Sequence, residues 1–92
     1  AINKNSLSYL VMYEQEANEF SANIDEIMRI FVKPASQLTQ GERLTARDGL
    51  KELIDALGWG YNLLFYASDY LNIDAHKLIS EQDESWKMKK WI

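Results

Sequence analysis

The sequence contains no cysteine, one proline and one histidine among its 92 residues. Without cysteine, neither disulfides nor metal ions bound by thiolates can stabilise a domain of this size. The single histidine, His76, excludes a metal site built from several histidines. No Gly-x-Ser-x-Gly turn is present to accompany it in a catalytic triad. Any chemistry must therefore come from the other polar and aromatic side chains.

The chain also lacks a basic excess and any long apolar run. Ten Lys and Arg stand against 14 Asp and Glu, which gives a net charge of −4 and an isoelectric point near 4.9. We therefore do not expect nucleic acid or an anionic membrane as a partner. No run approaches the roughly 18 apolar residues of a membrane span, and no signal peptide is recognisable. We expect a cytoplasmic protein whose opening Ala1-Ile2-Asn3 follows a removed initiator Met.

Apolar residues recur at helical spacing through the first third of the chain. Asn3, Asn5 and Ser6 are candidate N-caps for a first helix over residues 6–32, which Pro34 would end. Steps of three and four residues form an apolar seam for packing against another helix. Its members are Leu10, Tyr13, Ala17, Phe20, Ile24, Ile27 and Phe31.

A second helix is expected over about residues 44–71, after a connection at 33–43. Thr39 and Glu42 match a capping box for its start, and Thr45 is an alternative cap.

The end of that helix and the start of a third are also marked. Asn72 suits the left-handed residue that ends a helix, and Asp74 then caps a helix over residues 75–90. Strand signals are absent. The sequence therefore predicts a single all-α domain, a long antiparallel helical hairpin plus a shorter C-terminal helix. A chain of this length buries only about 60–65% of its unfolded surface, so we expect dimerisation or higher assembly to complete a four-helix core.

Two acidic pairs stand out, Glu16/Glu19 on the first helix and Glu52/Asp55 on the second. Three residues separate the members of each pair, so both carboxylates lie on one face of their helix. In an antiparallel hairpin the four carboxylates would converge and repel one another unless a cation lies among them. Hard oxygen ligands select Mg²⁺ or Mn²⁺. The alternative is that these are ordinary surface carboxylates of an acidic helical protein.

Aromatic and amide side chains continue the acidic stripe along the second helix. Trp59 and Tyr66 are candidates for stacking a nucleotide base, with Asn62 between them. Lys87 is a candidate for neutralising phosphate. The alternatives are a core or dimer interface for the aromatic rings, and attraction of Lys87 to a helix C-terminus.

The C-terminal half, Glu52 to Lys87, resembles the all-α nucleoside triphosphate pyrophosphohydrolases of the MazG-like kind. In the first helix, Gln15-Glu16-Ala17-Asn18-Glu19 is similar to the Glu-Glu-x-x-Glu metal motif of that family. The resemblance implies a Mg²⁺-dependent enzyme that hydrolyses a nucleoside triphosphate to the monophosphate and pyrophosphate. The matching residues are Asp55-Ala56-Leu57-Gly58, Tyr61, Leu64, Ala67, Leu71, Asn72-Ile73-Asp74, Leu78, Glu81 and Ser85.

The second metal motif of the family, Glu-x-x-Asp, would fall on Ala56 and Trp59. The acidic pair Glu52/Asp55 lies one helical turn earlier, a shift of about 5 Å along the axis. Either the site is rebuilt one turn away, or the fold is kept and the hydrolase activity is lost. The alternative function is a small non-enzymatic inhibitor of the phage or mobile-element type. It would bind a host protein through an acidic, aromatic face.

Overall fold

The computed structural model describes residues 4–90, which form four α-helices and one short 3-10 turn. Within this range no strand occurs, so the all-α class is confirmed. Asn3, a candidate N-cap, lies outside the described residues. The elements are α1 (Lys4–Ala22), α2 (Ile24–Phe31), the 3-10 turn (Ala35–Gln37), α3 (Gln40–Tyr70) and α4 (Ala75–Met88).

The first helix is broken at Asn23, so α1 and α2 replace the single helix expected over residues 6–32. The Asn23 backbone N–H donates to the carbonyl of Phe20 at 3.2 Å, which tightens the turn. Its side-chain amide donates to the carbonyl of Glu19 at 3.4 Å and to Glu52 Oε2 at 3.2 Å. An asparagine side chain that bonds to nearby backbone competes with the helical hydrogen bonds, which explains the break.

The α3 helix begins at Gln40, four residues before the expected start, because Thr39 is the cap. Thr39 Oγ1 accepts from the Glu42 N–H at 3.1 Å, and Glu42 Oε1 accepts from the Thr39 N–H at 3.0 Å. This is the predicted capping box, whereas the alternative cap, Thr45, lies inside α3. Lys33 adds an ion pair to Glu42 at 2.7 Å.

The turn between α3 and α4 follows its sequence signals. Asn72 takes the left-handed conformation with φ 56°, and Asp74 Oδ1 accepts from the N–H groups of His76 and Lys77 at 3.0 and 3.2 Å. His76 packs edge-on against Phe65, with 5.3 Å between the ring centroids.

The helices α1 and α3 pack antiparallel, because contacts from early in α1 reach late in α3. Tyr9 meets Tyr66 at 4.7 Å between ring centroids. Further along, Ile27 of α2 lies against Gly49, where a Cβ would come within 2.5 Å of the Ile27 Cδ1. The long hairpin is thus present, with α2 extending it beyond the break.

The contact line of α1 and α2 differs from the expected apolar seam. Leu10, Ile24 and Phe31 were expected in the seam, yet all three side chains are exposed. Tyr13 and Ile27 do contact α3, as expected. The observed line keeps helical spacing, with steps of three, four and seven residues, but passes through polar positions. It comprises Tyr9, Tyr13, Glu16, Asn23, Ile27 and Ile30.

The core is thin. Only Ile27, Ile30, Ala56 and Ala75 are buried hydrophobic residues in the described part of the chain. The accessible surface is 7328 Å², whereas a compact monomer of 10.7 kDa exposes about 5,500 Å². The radius of gyration is 17.0 Å, against about 12 Å for a compact domain of 92 residues. Between residues 4 and 90, no helix is long and apolar enough to cross a membrane.

Candidate functional site

The α1–α3 hairpin has two chemically different sides. The acidic side carries carboxylates, amides and aromatic rings. The apolar side carries a groove of about 530 Å³. Members of the acidic side are Tyr9, Glu16, Glu19, Asn23, Glu52, Asp55, Trp59, Asn62 and Tyr66. The groove of the apolar side is lined by Tyr13, Ala56, Leu57, Gly60, Tyr61, Leu63 and Leu64.

Of the four carboxylates proposed from the sequence, Glu16 is influenced electrostatically by the other three. Half-burial of Glu16 raises the pKa of its carboxyl, and a hydrogen bond with Glu19 raises it further. The negative charges of Asp55 and Glu52 on α3 act in the same direction. Antiparallel packing therefore brings the two acidic pairs into one neighbourhood, with Glu16 at its centre.

Asn23 is a member of this neighbourhood that the sequence reading did not assign to the site. Its amide donates to Glu52 Oε2 at 3.2 Å and thereby orients that carboxylate. The two residues also line a cavity of about 150 Å³, together with Thr45 and the carboxylates of Glu26 and Asp48. The signal was available, because Asn23 follows Glu16 and Glu19 at helical spacing.

The structure gives a reason for the non-acidic residues at the family motif positions. Ala56 is buried, with 6% of its surface exposed, so a carboxylate at this position would lose its hydration. Trp59 packs against Tyr9 at 5.5 Å between ring centroids. The acidic pair of α3 that was proposed from the sequence consists of Glu52, which is half-buried, and Asp55, which is exposed. In the described part of the chain, no three Asp, Glu or His side chains are already arranged as a metal-binding group.

The aromatic rings proposed to stack a nucleotide base already pack on a ring of this chain. Tyr9 lies 4.7 Å from Tyr66 with 26° between the ring planes, a stacked arrangement. A hydrogen bond with Tyr66 raises the pKa of the Tyr9 hydroxyl. Tyr66 nevertheless keeps 45% of its surface exposed, which leaves part of the ring for a ligand. Tyr9 is a further residue that the sequence reading missed.

The two remaining substrate-binding candidates lie in different places. Asn62 is exposed on α3 and lines an open depression together with Asp55, Gly58 and Trp59. Lys87 lies on α4, where its ammonium pairs with Asp83 at 3.2 Å and Glu84 at 4.0 Å. The hydrogen bond with Asp83 and the charge of Glu84 raise the pKa of Lys87. Its contacts are thus with its own helix.

Comparison of the chain with protein-family models, with curated proteins and with solved structures gave no match in any of the three.

Proposed function

We propose that the acidic side of the hairpin binds a divalent cation, Mg²⁺ or Mn²⁺, and through it the phosphates of a nucleoside triphosphate. The observation that carries this proposal is the convergence of Glu16 and Glu19 of α1 with Glu52 and Asp55 of α3. Carboxylate oxygens are the donors that these hard cations prefer. Half-burial and the hydrogen bond with Glu19 raise the pKa of Glu16, and the neighbouring negative charges raise it further. A cation would offset those charges.

The residues of the acidic side have separate roles in this proposal. The four carboxylates hold the cation, and Asn23 orients Glu52 by its hydrogen bond. The exposed parts of Trp59 and Tyr66, with Asn62 beside them, contact the base. A bound cation neutralises phosphate charge and makes water a better nucleophile. In keeping with the MazG-like motifs, the proposed reaction is hydrolysis of the triphosphate to the monophosphate and pyrophosphate.

A thermal-shift series tests this proposal with ribo- and deoxynucleoside triphosphates, with and without Mg²⁺, on wild type and Glu52→Ala. A ligand at a hundred times its dissociation constant adds about 2.7 kcal/mol to the free energy of unfolding. In a domain this small, that raises the melting temperature by roughly ten degrees or more. Glu52→Ala should abolish the Mg²⁺-dependent shift. Glu14→Ala is the matched control, because Glu14 is an exposed carboxylate of α1 and should leave the shift intact.

Absence of any shift in the wild type, together with no pyrophosphate release, would refute nucleotide binding. A shift that persists in Glu52→Ala but is lost in the control would place the cation elsewhere on the hairpin.

We also propose that two copies of the chain form a homodimer with a four-helix core. The support is the accessible surface of 7328 Å², which exceeds that of a compact monomer by about 1,800 Å². Sedimentation equilibrium at micromolar concentration should give twice the chain mass of 10.7 kDa. A clean monomer would contradict this proposal.

A second candidate function is the non-enzymatic one, in which the acidic side binds another protein. The exposed Tyr66 and Tyr70 beside carboxylates favour it, because tyrosine is enriched at protein interfaces. A partner captured from bacterial lysate by the wild type and lost with Tyr66→Ala would support this function. Capture that is insensitive to Tyr66→Ala and to charge reversal at Glu52 would exclude the acidic side as the binding surface.

A further inference from the structure

We propose that the second copy docks on the apolar side of the hairpin, along the groove formed by α1, α3 and α4, and leaves the acidic side of each copy open to solvent. This inference rests on the proposed dimer and specifies which surface forms it. The surface is made of Tyr13, Leu57, Tyr61, Leu64, Ile79 and Trp86, here called the docking surface.

The docking surface is a continuous groove formed by three helices. Tyr13 of α1 and Leu57 and Tyr61 of α3 line the groove of about 530 Å³. A second depression, of about 410 Å³, opens between α3 and α4 and is lined by Ile79 and Trp86. Leu64 borders both, which joins the two into one surface.

The single chain leaves this surface largely uncovered. Leu57 and Tyr61 keep 61% and 62% of their surfaces exposed, and Trp86 keeps 43%. No charged side chain of the described residues lines the part of the groove on α1 and α3. Contiguous apolar surface without charge is typical of the interior of permanent interfaces rather than of transient contacts.

The excess surface of the whole chain is large enough to supply the area that a second copy would cover. Each chain exposes about 1,800 Å² more than a compact monomer of its mass, so two chains that cover this excess would bury about 3,600 Å² together. Obligate homodimers bury about 2,000–5,000 Å² in total. A two-fold axis places the same surface on both sides of the contact, so one largely apolar surface is sufficient. The carboxylate at its α4 end, Asp83, is paired with Lys87 of the same helix at 3.2 Å.

The charge distribution excludes the other side of the hairpin from this contact. A two-fold interface on the acidic side would place Glu16, Glu19, Glu52 and Asp55 of one copy against the same four residues of the other. Like charges that face each other across an interface repel and oppose association. The dimer therefore presents two separate acidic sides.

Single-cysteine variants test the docking surface without destabilising it, since the chain has no cysteine of its own. In Leu57→Cys, the rate of thiol alkylation should fall about tenfold once nine-tenths of the chains are dimeric, relative to a sample diluted below the dissociation constant. Val32→Cys is the matched control, because Val32 is 82% exposed in the segment that follows α2. Its alkylation rate should be the same at both concentrations.

Lysine variants provide the second measurement. Leu57→Lys and Tyr61→Lys should sediment as monomers at concentrations where wild type and Val32→Lys are dimers. The Mg²⁺-dependent nucleotide shift should persist in both monomeric variants, since the acidic side is not part of the contact.

Three results would overturn the inference, and each is distinct from failure of the proposed function. A dimer with equal alkylation of Leu57→Cys at both concentrations would place the interface elsewhere. A wild type that is monomeric at every concentration would show that no second copy binds the docking surface. Protection of Leu57→Cys that appears only in the presence of a different protein would assign the surface to that protein. Loss of nucleotide binding with an intact dimer would instead refute only the metal site.

Discussion

At the residue scale, polar side chains occupy positions of the helix seam where apolar ones were expected. Glu16 and Asn23 belong to the line that contacts α3, while Leu10 and Ile24 are exposed. Placing a carboxyl there reduces its hydration and exposes it to two negative charges of the opposite helix. The ionised carboxyl of Glu16 therefore lowers the free energy of unfolding at a position where it would bind a cation. Residues of binding sites commonly reduce the stability of their fold in this way.

Glu16→Gln should make the free protein more stable at neutral pH and weaken its binding of Mg²⁺. The pKa of Glu16 is raised in the folded state, so its contribution favours folding fully below the unfolded value of about 4.3 and is lost as pH rises through the higher folded value. At pH 7 the ionised carboxylate thus opposes folding, and glutamine removes that charge.

The measurement is the melting temperature from pH 4 to 8 for wild type, Glu16→Gln and Glu14→Gln. Glu16→Gln should melt at a higher temperature than wild type at neutral pH and at the same temperature in acid. Its Mg²⁺ affinity should fall by about tenfold or more, because one charged ligand is lost. Glu14→Gln removes the same charge from an exposed position of α1 and should show neither effect. An equal rise in melting temperature for Glu16→Gln and Glu14→Gln would show that the effect comes from net charge alone.

Two glycines of α3 should respond oppositely to alanine. At Gly58 an added Cβ would meet nothing within 4 Å, so Gly58→Ala should stabilise the helix by up to about 1 kcal/mol. At Gly49 the Cβ would lie 2.5 Å from the Ile27 Cδ1, and Ile27 is buried. The overpacking cost of about 1–3 kcal/mol should leave Gly49→Ala less stable than Gly58→Ala by that amount. Urea unfolding of the two variants measures the difference, and equal stabilities would show that α2 does not pack on Gly49.

At the element scale, the start of α3 depends on a reciprocal cap. Thr39→Ala should lower the free energy of unfolding by about 1 kcal/mol, because it removes the acceptor of the Glu42 N–H. In a domain of this length, that corresponds to a fall in melting temperature of about 4–8 °C. Thr45→Ala is the control inside the same helix, and alanine is the better helix former there. A larger loss of stability in Thr45→Ala than in Thr39→Ala would show that Thr45, and not Thr39, caps α3.

The same cap adds a pH dependence of opposite sign to that of Glu16. The hydrogen bond from Lys33 and the bond from the Thr39 backbone hold the pKa of Glu42 below its usual value. Its stabilising effect is therefore present above the unfolded pKa of about 4.3 and disappears as pH falls through the lower folded value. Acid should thus loosen the start of α3 while it relieves the repulsion around Glu16.

Local signals predicted the element boundaries better than periodicity predicted the packing. Thr39, Asn72 and Asp74 cap or end helices where their side chains allow it, because those bonds lie within a few residues. The break at Asn23 was not predicted, because the apolar spacing continues through residue 23 and does not show that the Asn23 amide bonds to the Glu19 carbonyl. The acidic pairs were recognised from spacing on each helix. Tyr9 was missed because its place beside Trp59 and Tyr66 depends on which face α1 turns toward α3. Asn23 shares the helical spacing of Glu16 and Glu19 and could have been assigned from the sequence.

At the scale of the whole molecule, the chain is a thin layer with two unlike sides. Its principal extents are 52 × 33 × 15 Å, and the smallest of these leaves little depth for a core. The few buried residues cannot supply the stability that a compact domain of 92 residues derives from its interior. In the proposed dimer, association adds to the burial within each chain and so couples stability to protein concentration.

Thermal unfolding of the wild type should consequently depend on protein concentration. For a dimer that unfolds to two separate chains, a hundredfold dilution lowers the free energy of unfolding by about 2.7 kcal/mol. With about 2.1 cal/mol/K per residue over two chains of 92 residues, the melting temperature should fall by about 7 °C. Calorimetry or far-ultraviolet circular dichroism across that range measures the shift, and Leu57→Lys should melt lower and without concentration dependence. If the melting temperature of the wild type is the same at both ends of the dilution series, a single chain is stable on its own. The docking surface would then not be covered by a second copy.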